Sequence, residues 1–359
     1  MSVGAEELAS RAPRPVGPGE PVARGYWELV WGRFKRDRLA VVSGIVLVFV
    51  LLACFGGEPI AEHFLGHGPN DIFPLAADVN GHPTGPWSHV PNSHGVINVT
   101  AKTPRTLFIL GADGQLGRDQ FLRLLAGGRT SLEIGLGAAA IAVALGLLFG
   151  LLAGYYGRWI DAVISRMTEF VMGFPILLFL IALGRTISAR LDKVILGGVF
   201  VPGALSLIVA IGIFSWFYPA RIVRAQVLSL REREFVEAAR MVGASDLRII
   251  RKHLLPHVVG SLIVYSTLIV AGTIILEAAL AILNFGIALP DATWGNMISQ
   301  NWGTLLAPGG PGAYGESAFV RPSWLTTFWP TMALLLTVLA LNLFGEGLRE
   351  ALDPRSRRG

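Results

Sequence analysis

The chain alternates long uncharged stretches with short charged ones. Six stretches contain no Asp, Glu, Lys or Arg: Leu39–Gly57, Ile134–Gly157, Phe170–Gly184, Val194–Ala220, Val258–Leu276 and Pro322–Gly345. A helix rises about 1.5 Å per residue and a bilayer core is about 30 Å thick, so roughly 20 apolar residues span it. All but the third stretch meet this length, and the pattern predicts membrane-spanning helices.

The third stretch, Phe170–Gly184, is short and contains Pro175, so length alone leaves a re-entrant segment open. Charge favours a full span. With six spans and a cytoplasmic N-terminus, most of the 30 Lys and Arg residues fall on the cytoplasmic side, whereas removal of this span places more of them outside. The sequence therefore predicts an all-α polytopic membrane protein with six transmembrane helices and both termini in the cytoplasm.

These spans divide the chain into segments. We expect a cytoplasmic segment at 1–38, the first transmembrane helix at 39–57, an extracytoplasmic segment at 58–115, a core with five transmembrane helices at 116–348 that contains a cytoplasmic loop at 221–257, and a cytoplasmic tail at 349–359. No A-x-A-like site follows the first apolar stretch, so this stretch is predicted to stay as an anchor.

Composition excludes several classes of function. Hydrophobic residues make up 52% of the chain and charged residues only 15%, which is typical of a membrane protein. The net charge of +5 comes from basic residues that lie mainly in the predicted cytoplasmic segments, so we do not predict nucleic-acid binding. No G-x-x-x-x-G-K-[ST], H-E-x-x-H or C-x-x-C motif occurs. The chain is therefore predicted to be no enzyme and to bind no cofactor, and energy for transport must come from another chain.

Two features inside the predicted membrane region are candidates for function. Gly146, Gly150 and Gly154 recur every four residues, which favours either packing within the chain or contact with a second membrane subunit. Glu277 follows the uncharged stretch Val258–Leu276, about 28 Å from its start at helical rise. It is interpreted either as a helix-end carboxylate that faces water or a neighbour, or as a residue that lines a passage.

A charged stretch, "EFVEAARMVGASDLRIIRKHLLP" at 234–256, separates the fourth and fifth predicted spans; we call it the elbow. Its pattern predicts two short helices. Apolar residues share one face of the first at i, i+3, i+4 and i+7, namely Phe235, Ala238, Ala239 and Val242. Gly243 is expected to end this helix with a positive φ, Ser245 to cap the second, and Pro256 to mark the return to the membrane. The face suits either a lipid surface or a protein interface.

The elbow also carries a recognisable motif, E-A-A-x-x-x-G with a trailing L-P, formed by Glu237, Ala238, Ala239, Gly243, Leu255 and Pro256. This motif resembles that of the membrane subunits of binding-protein-dependent ABC importers. Three further stretches resemble the C-type permease of dipeptide and oligopeptide importers: "LGADGQLGRDQFLRLLAGGRTSLEIG" (110–135), "GYYGRWIDAVISRMTEFVMGFPILLFLIAL" (154–183) and "LFGEGLREALDPR" (343–355). The resemblance covers roughly residues 110–355.

The resemblance implies a function and a set of partners. The chain would form half of a passage for short peptides together with a second, homologous permease. Two ATPase subunits would bind ATP and Mg, and an extracytoplasmic solute-binding protein would deliver the peptide. The elbow would be the coupling helix that docks on an ATPase, through Glu237, Ala238, Ala239, Gly243, Ser245, Leu255 and Pro256. A permease for nickel or another small solute remains the alternative, and a secondary transporter the weaker one.

Two regions depart from the family pattern. Where the family often has S-F-L-G-L-G after the glutamate of the fifth span, Asn284 replaces a glycine here, and Glu277 and Asn284 are candidates for passage lining. The region Glu58–Leu110 is longer than the usual outer segment and is expected either to contact the solute-binding protein or to cap the passage. Within it, His63 and His67 have i, i+4 spacing and could share a metal if helical, but loop histidines are commoner, so no metal site is predicted.

Overall fold

The computed structural model describes residues 26–77, 83–92, 103–114, 116–182, 201–302 and 324–352. Most of the predicted N-terminal segment 1–38 and of the tail 349–359 lies outside these ranges. The described chain is mostly helical, and the helices are α1 (Tyr26–Phe34), α2 (Arg38–Leu52), α3 (Glu58–Leu65), α4 (Gln120–Tyr156), α5 (Arg158–Met172), α6 (Ile176–Ala182), α7 (Ala204–Ser215), α8 (Phe217–Leu230), α9 (Glu234–Met241), α10 (Asp246–Ile249), α11 (Leu255–Ile282), α12 (Trp294–Asn301) and α13 (Leu325–Leu352).

Five helical segments are long and apolar enough to cross a membrane within the described part of the chain: Arg38–Leu65, Gln120–Tyr156, Ala204–Leu230, Asp246–Ile282 and Leu325–Leu352. The first is α2 continued into α3 through a turn of π-helix at Ala53–Gly57. A sixth span exists only if α5 and α6 are taken together, and they are bent by 78°. The polytopic helical fold is thus confirmed, but the third span is not one straight helix, because the chain turns at Gly173–Pro175.

The spanning helices extend beyond the uncharged stretches that predicted them. α4 begins at Gln120 and therefore contains Arg129 and Glu133, which pair with each other at 2.9 Å in i, i+4 positions. Arg129 also reaches Glu58 at 3.3 Å. Charges at a helix end are tolerated when they pair or face the interface. A prediction based on uncharged stretches alone therefore gives helices that are too short.

Short polar residues begin several helices by satisfying free backbone N–H groups. The Asp119 carboxylate accepts hydrogen bonds from the N–H groups of Phe121 and Leu122 at the start of α4. Asp37 does the same for α2. At α12, the Thr293 hydroxyl and the Asn296 side chain bond each other's backbone N–H in a capping box.

The long helix α4 packs along α8 at a seam of small residues. Gly146, Gly150 and Gly154 are all buried there. A Cβ added at Gly146 would lie 2.6 Å from Pro219, and one added at Gly150 would lie 2.6 Å from Val223. Only glycine allows the two backbones to come this close, so the structure places the glycine series in a contact within this chain.

A small β region lies between α3 and α4, and the sequence analysis did not predict it. The strands β1 (Ser88–Pro91) and β2 (Arg105–Phe108) are antiparallel, with Ser88 opposite Phe108. Two shorter strands, β3 (Ala112–Asp113) and β4 (Arg118–Asp119), pair just before α4. The apolar side chains Phe73 and Phe108 pack at 5.2 Å in the centre of this region. Strands of two to four residues are too short to give an alternating sequence pattern.

Candidate functional site

The elbow rests on a buried apolar base. Val236 on α9 is fully buried, as are Ile249 and Leu254 on the following turns. These side chains pack in one cluster with Val227 of α8 and Val258 of α11. The base therefore fixes the elbow against two spanning helices, and none of its three elbow residues was among the predicted site residues.

Gly243 ends α9 in the way the sequence predicts. Its φ is +81°, in the left-handed region that favours glycine. Its N–H bonds the Arg240 carbonyl at 2.9 Å, and the Ala244 N–H bonds the Ala239 carbonyl at 3.0 Å, which is a Schellman motif. A Cβ at Gly243 would meet nothing within 4 Å, so backbone conformation alone restricts this position.

The residues that follow Gly243 differ from the prediction. Ser245 occupies the N-cap position, but its side chain makes no capping hydrogen bond. Asp246 instead accepts a hydrogen bond of 2.6 Å from the hydroxyl of Tyr155, at the end of α4. The Arg240 guanidinium lies 5.7 Å from the centre of the Tyr155 ring. Tyr155 therefore joins both arms of the elbow to α4.

The predicted second short helix is not a separate element. α10 runs through a turn of π-helix at Ile250–Leu254 directly into α11, so that one helical segment extends from Asp246 to Ile282. Pro256 does not interrupt it, because the turn of π-helix directly before it changes the backbone hydrogen-bonding pattern where the proline has no N–H to donate. The elbow is thus one short helix, one tight turn and the first turns of a long helix.

The turn of the elbow exposes apolar side chains. Met241 is 83% exposed, Val242 is 89% exposed and Leu247 is 63% exposed. Ala238, on the predicted apolar face, is also exposed. Exposed Glu237 lies on the same helix and forms no salt bridge with another described residue. The elbow therefore presents an apolar tip and an unpaired carboxylate on a rigid base; we call Met241, Val242 and Leu247 the elbow tip.

The trailing L-P of the motif has a more modest position. Leu255 is half-buried and Pro256 is exposed, whereas the preceding Leu254 is fully buried. Phe235 stacks on the ring of His257 at 5.5 Å, which joins α9 to the first turn of α11. These contacts hold the two arms of the elbow together next to the membrane helices.

Glu277 lies against a neighbouring helix, which is one of the positions that the sequence left open. It is fully buried. The Ser131 hydroxyl of α4 donates to its carboxyl group at 3.3 Å, and the backbone N–H of Trp294 bonds the same hydroxyl at 3.2 Å. Glu277 therefore joins α11 to α4 and α12, and a role in lining a passage stays a prediction.

Asn284 closes α11 in the same way that Gly243 closes α9. Its φ is +63°, its N–H bonds the Ala281 carbonyl at 2.9 Å, and the Phe285 N–H bonds the Leu280 carbonyl at 2.8 Å. Asparagine tolerates this left-handed conformation better than other residues with a side chain. The replacement of the family's glycine thus leaves the local backbone intact, and Asn284 acts as a helix terminator.

The histidine pair does not form the helical arrangement that a shared metal would need. α3 ends at Leu65, because Gly66 takes a φ of +73°. His63 is exposed, whereas His67 is buried and has both ring nitrogens engaged. No group of three or more metal-binding side chains occurs among the described residues.

His67 belongs to a pair of groups that sequence analysis missed. Its Nδ1 lies 3.1 Å from the Leu65 carbonyl, and its Nε2 lies 3.0 Å from the Asp119 carboxylate. Burial disfavours the charged imidazolium, but the hydrogen bonds to Asp119 and Leu65 favour it more and raise the pKa of His67 above its ordinary value. A ring that faces two acceptors needs both N–H groups, which explains this direction.

A larger set of buried charges surrounds the start of α4; we call Asp113, Arg118, Arg123 and Asn301 the buried polar cluster. Asp113 accepts from Asn301 at 2.5 Å and from Arg118 at 3.4 Å, and it is in ionic contact with Arg123. Arg123 is fully buried and also donates to Asn70 and to the Pro290 carbonyl, each at 3.0 Å. The cluster joins α4, α12, the β region and the loop after α11.

The comparisons with known proteins agree with this architecture. Residues 146–358 match the family described as binding-protein-dependent transport system inner membrane component. The chain belongs to this family. Residues 25–80 of this permease also match the N-terminal transmembrane domain of oligopeptide transport permease C. Membership overturns the alternative of a secondary transporter.

Curated relatives cover most of the permease. The dipeptide transport system permease protein DppC of Bacillus subtilis is 33% identical over 93% of this chain and 87% of its own length. The oligopeptide transport system permease protein OppC of Haemophilus influenzae is 31% identical over 93% of this chain and 90% of its own. A solved chain of the MetNI methionine ABC transporter shares 19% identity over 64% of this chain and 96% of that chain, with a TM-score of 0.45.

Proposed function

We propose that this permease forms half of the passage of a peptide-importing ABC transporter and that its elbow docks on an ATPase subunit. The exposed elbow tip carries this proposal. Met241 and Val242 are more than four-fifths exposed although they stand on a fully buried base. Large apolar side chains held rigidly at a surface are typical of an interface that a partner completes.

The chemistry of the elbow suits a groove on a soluble partner. Met241 and Val242 supply apolar contact area, and Glu237 supplies a carboxylate that no described cation neutralises. A basic group on the ATPase would pair with Glu237, and this pair would fix the orientation of the docked helix. The elbow therefore lies on the cytoplasmic side in our proposal, with both chain termini.

The remaining partners follow from the proposed transport function. A second, homologous permease supplies the other half of the passage, and two ATPase subunits bind ATP and Mg. A solute-binding protein delivers the substrate on the other side of the membrane. This chain performs no chemistry itself and binds no cofactor. It transmits the closure of the ATPase pair to the membrane helices through the elbow.

The names of the relatives support a peptide as the substrate. Two of them, which cover more than nine-tenths of this chain, are named as dipeptide and oligopeptide permeases. Uptake by the complex with its native partner subunits in vesicles tests this choice directly. We expect ATP-dependent uptake of short peptides, and uptake of nickel with no peptide would overturn the assignment.

Two substitutions at Gly243 test the coupling role. Valine at a φ of +81° is strained by about 1–2 kcal/mol, whereas asparagine accepts this conformation, and both side chains have open space. We expect Gly243→Val to insert normally but to lose most peptide uptake and ATPase stimulation. Gly243→Asn is the matched control and should keep both.

Glu237→Lys tests the charge that docking requires. Reversal of an unpaired surface charge leaves folding within about 0.5 kcal/mol, so the variant should insert and remain stable. Its co-purification with the ATPase subunit should fall at least tenfold at low salt, on the order of 1.4 kcal/mol. If Glu237→Lys and Gly243→Val both transport peptide at wild-type rates, the elbow lies on lipid instead.

A further inference from the structure

A continuous groove runs along one flank of the helix bundle. Three cavities of about 460, 340 and 680 Å³ follow one another from the bend between α5 and α6 to the ends of α11 and α13. Tyr218 lines the first two cavities, and Tyr265 lines the second and third. We call this feature the flank groove.

The flank groove is lined mainly by apolar side chains but also carries polar ones. Tyr218 of α8 is 60% exposed and Tyr265 of α11 is 38% exposed, and Gln226 and Ser261 lie beside them. Polar groups on the outer face of a membrane helix are costly in lipid, so they mark a surface that another molecule or water covers.

The α2 flank shows the opposite pattern. After Arg38 at its start, its strongly exposed side chains are apolar: Leu39, Val42, Ile45, Val48, Phe49 and Leu52. Such a face is suited to the acyl chains of a bilayer. The bundle therefore has one described flank that is apolar along its membrane span and another that combines apolar and polar side chains.

The charges of the flank groove favour one occupant. No acidic side chain lines it within the described residues, whereas Arg349 and His257 lie at its elbow end. Arg349 forms no salt bridge with another described residue. Aliphatic side chains such as Leu268 alternate with the hydroxyl and amide groups along the groove. This arrangement suits a peptide, which has apolar side chains, backbone amides and a C-terminal carboxylate.

From this pattern we infer that the flank groove is this chain's half of the peptide passage, with Tyr218, Gln226 and Tyr265 bonding the peptide backbone and Arg349 binding the terminal carboxylate. This inference rests on the proposed peptide transport. It replaces Glu277 and Asn284 as passage-lining residues, since Glu277 is buried against Ser131 of α4 and its neighbour Leu276 lines the groove instead.

Photo-cross-linking in the assembled transporter tests the position of the passage. A photoreactive phenylalanine analogue replaces Tyr265 in one variant and Phe49, which is 70% exposed on the α2 flank, in the control. During ATP turnover, a radiolabelled tripeptide should cross-link at position 265 and not at 49. Adducts at 265 with lipid alone or with the second permease alone would overturn the inference, as would equal peptide labelling at both positions.

Uptake measurements test the role of Arg349. We expect Arg349→Gln to lower uptake of a free-acid peptide about tenfold, the equivalent of one charge-assisted hydrogen bond, and to leave uptake of the C-terminally amidated peptide unchanged. Arg349→Lys should keep most of the wild-type uptake of the free-acid peptide. An equal loss for both peptides would contradict carboxylate binding.

Peptide import by the complex and the position of the passage can be tested separately. If the wild-type complex imports no peptide, the proposed function is wrong. If it imports peptide and position 265 stays unlabelled, the passage lies elsewhere and only this inference fails.

Discussion

The two ends of α4 differ in what lies next to them: buried charges at the start and exposed apolar side chains at the other end. At its start, the charges of Asp113 and Arg123 are at most 1% exposed, and they are paired with each other and with neighbouring polar groups. At its other end, Tyr155 holds an elbow whose Met241 and Val242 are more than four-fifths exposed. Charged side chains are rarely fully buried unless they are paired, and large exposed apolar side chains grouped at a surface are typical of an interface. The first end is paired within this chain, whereas the second exposes apolar side chains that, in our proposal, a partner covers.

The comparison indicates that the stability of the fold depends on the start of α4, whereas the proposed binding function depends on the elbow at its other end. Buried charges are strongly destabilising when one partner is removed, so the buried polar cluster must form for the chain to fold. An exposed apolar tip contributes little to the folded chain alone, so it is free to serve binding. Substitutions at the two ends of α4 should therefore change different measured quantities.

The largest expected effect is at Arg123. Replacement of Arg123 by methionine keeps the volume but leaves the Asp113 carboxylate buried with less compensation, which should destabilise the protein by about 3–5 kcal/mol. The thermal unfolding midpoint in detergent measures this change. Arg166→Met is the control, because Arg166 is 84% exposed and its pair with Glu169 should contribute less than about 0.5 kcal/mol. Equal thermal unfolding midpoints for Arg123→Met and Arg166→Met would contradict a special role of the buried polar cluster in stability.

A pair of valines on the elbow sharpens the comparison within a few residues. Val236 is fully buried, so Val236→Ala should destabilise the protein by about 2 kcal/mol through lost burial and a small cavity. Val242 is 89% exposed, so Val242→Ser should leave the unfolding midpoint unchanged and weaken ATPase association. Unfolding and pull-down experiments on both variants separate base from tip. A normal pull-down for Val242→Ser would exclude that side chain from the interface.

The smallest expected effect comes from pH. The pKa of His67 is raised in the folded protein, so its stabilising contribution is fully present below the unfolded value near 6.5 and is lost as the pH rises through the folded value. The unfolding midpoint of the wild type should therefore fall between mildly acidic and alkaline pH by more than that of His67→Gln. His63→Gln, which changes an exposed ring, should follow the wild type. Parallel pH profiles for all three proteins would contradict a charged His67.

The sequence predicts features that depend on neighbours along the chain. The long apolar stretches predict five of the spans, and the turn at Gly243 follows from a local pattern that needs no tertiary contact. The bend between α5 and α6 is harder to predict, because Pro175 is compatible with a kinked span and with a re-entrant turn. The distribution of Lys and Arg residues indicates on which side of the membrane each segment lies, but it does not indicate the angle between α5 and α6.

The remaining features depend on residues that are far apart in the chain. Asp246 meets Tyr155 across 91 positions, and Asp113 meets Asn301 across 188. The burial of Glu277 likewise depends on Ser131, which lies on another helix. Hydrophobic periodicity describes one element at a time, so it predicts that a carboxylate ends a helix but not which helix covers it. Even so, charged residues at the start of an apolar helix, such as Arg118 and Arg123, are a usable signal of a buried network.

The unbroken helical segment from Asp246 to Ile282 also has a mechanical meaning. Its 37 residues form a rod about 55 Å long, with the elbow turn at one end and the Pro290 loop held by Arg123 just beyond the other. A tilt of about 10° around one end moves the other end by about 10 Å, which is the width of a helix. If the elbow docks on an ATPase subunit as proposed, a small rotation of that subunit would be amplified along the rod toward the far end of the bundle.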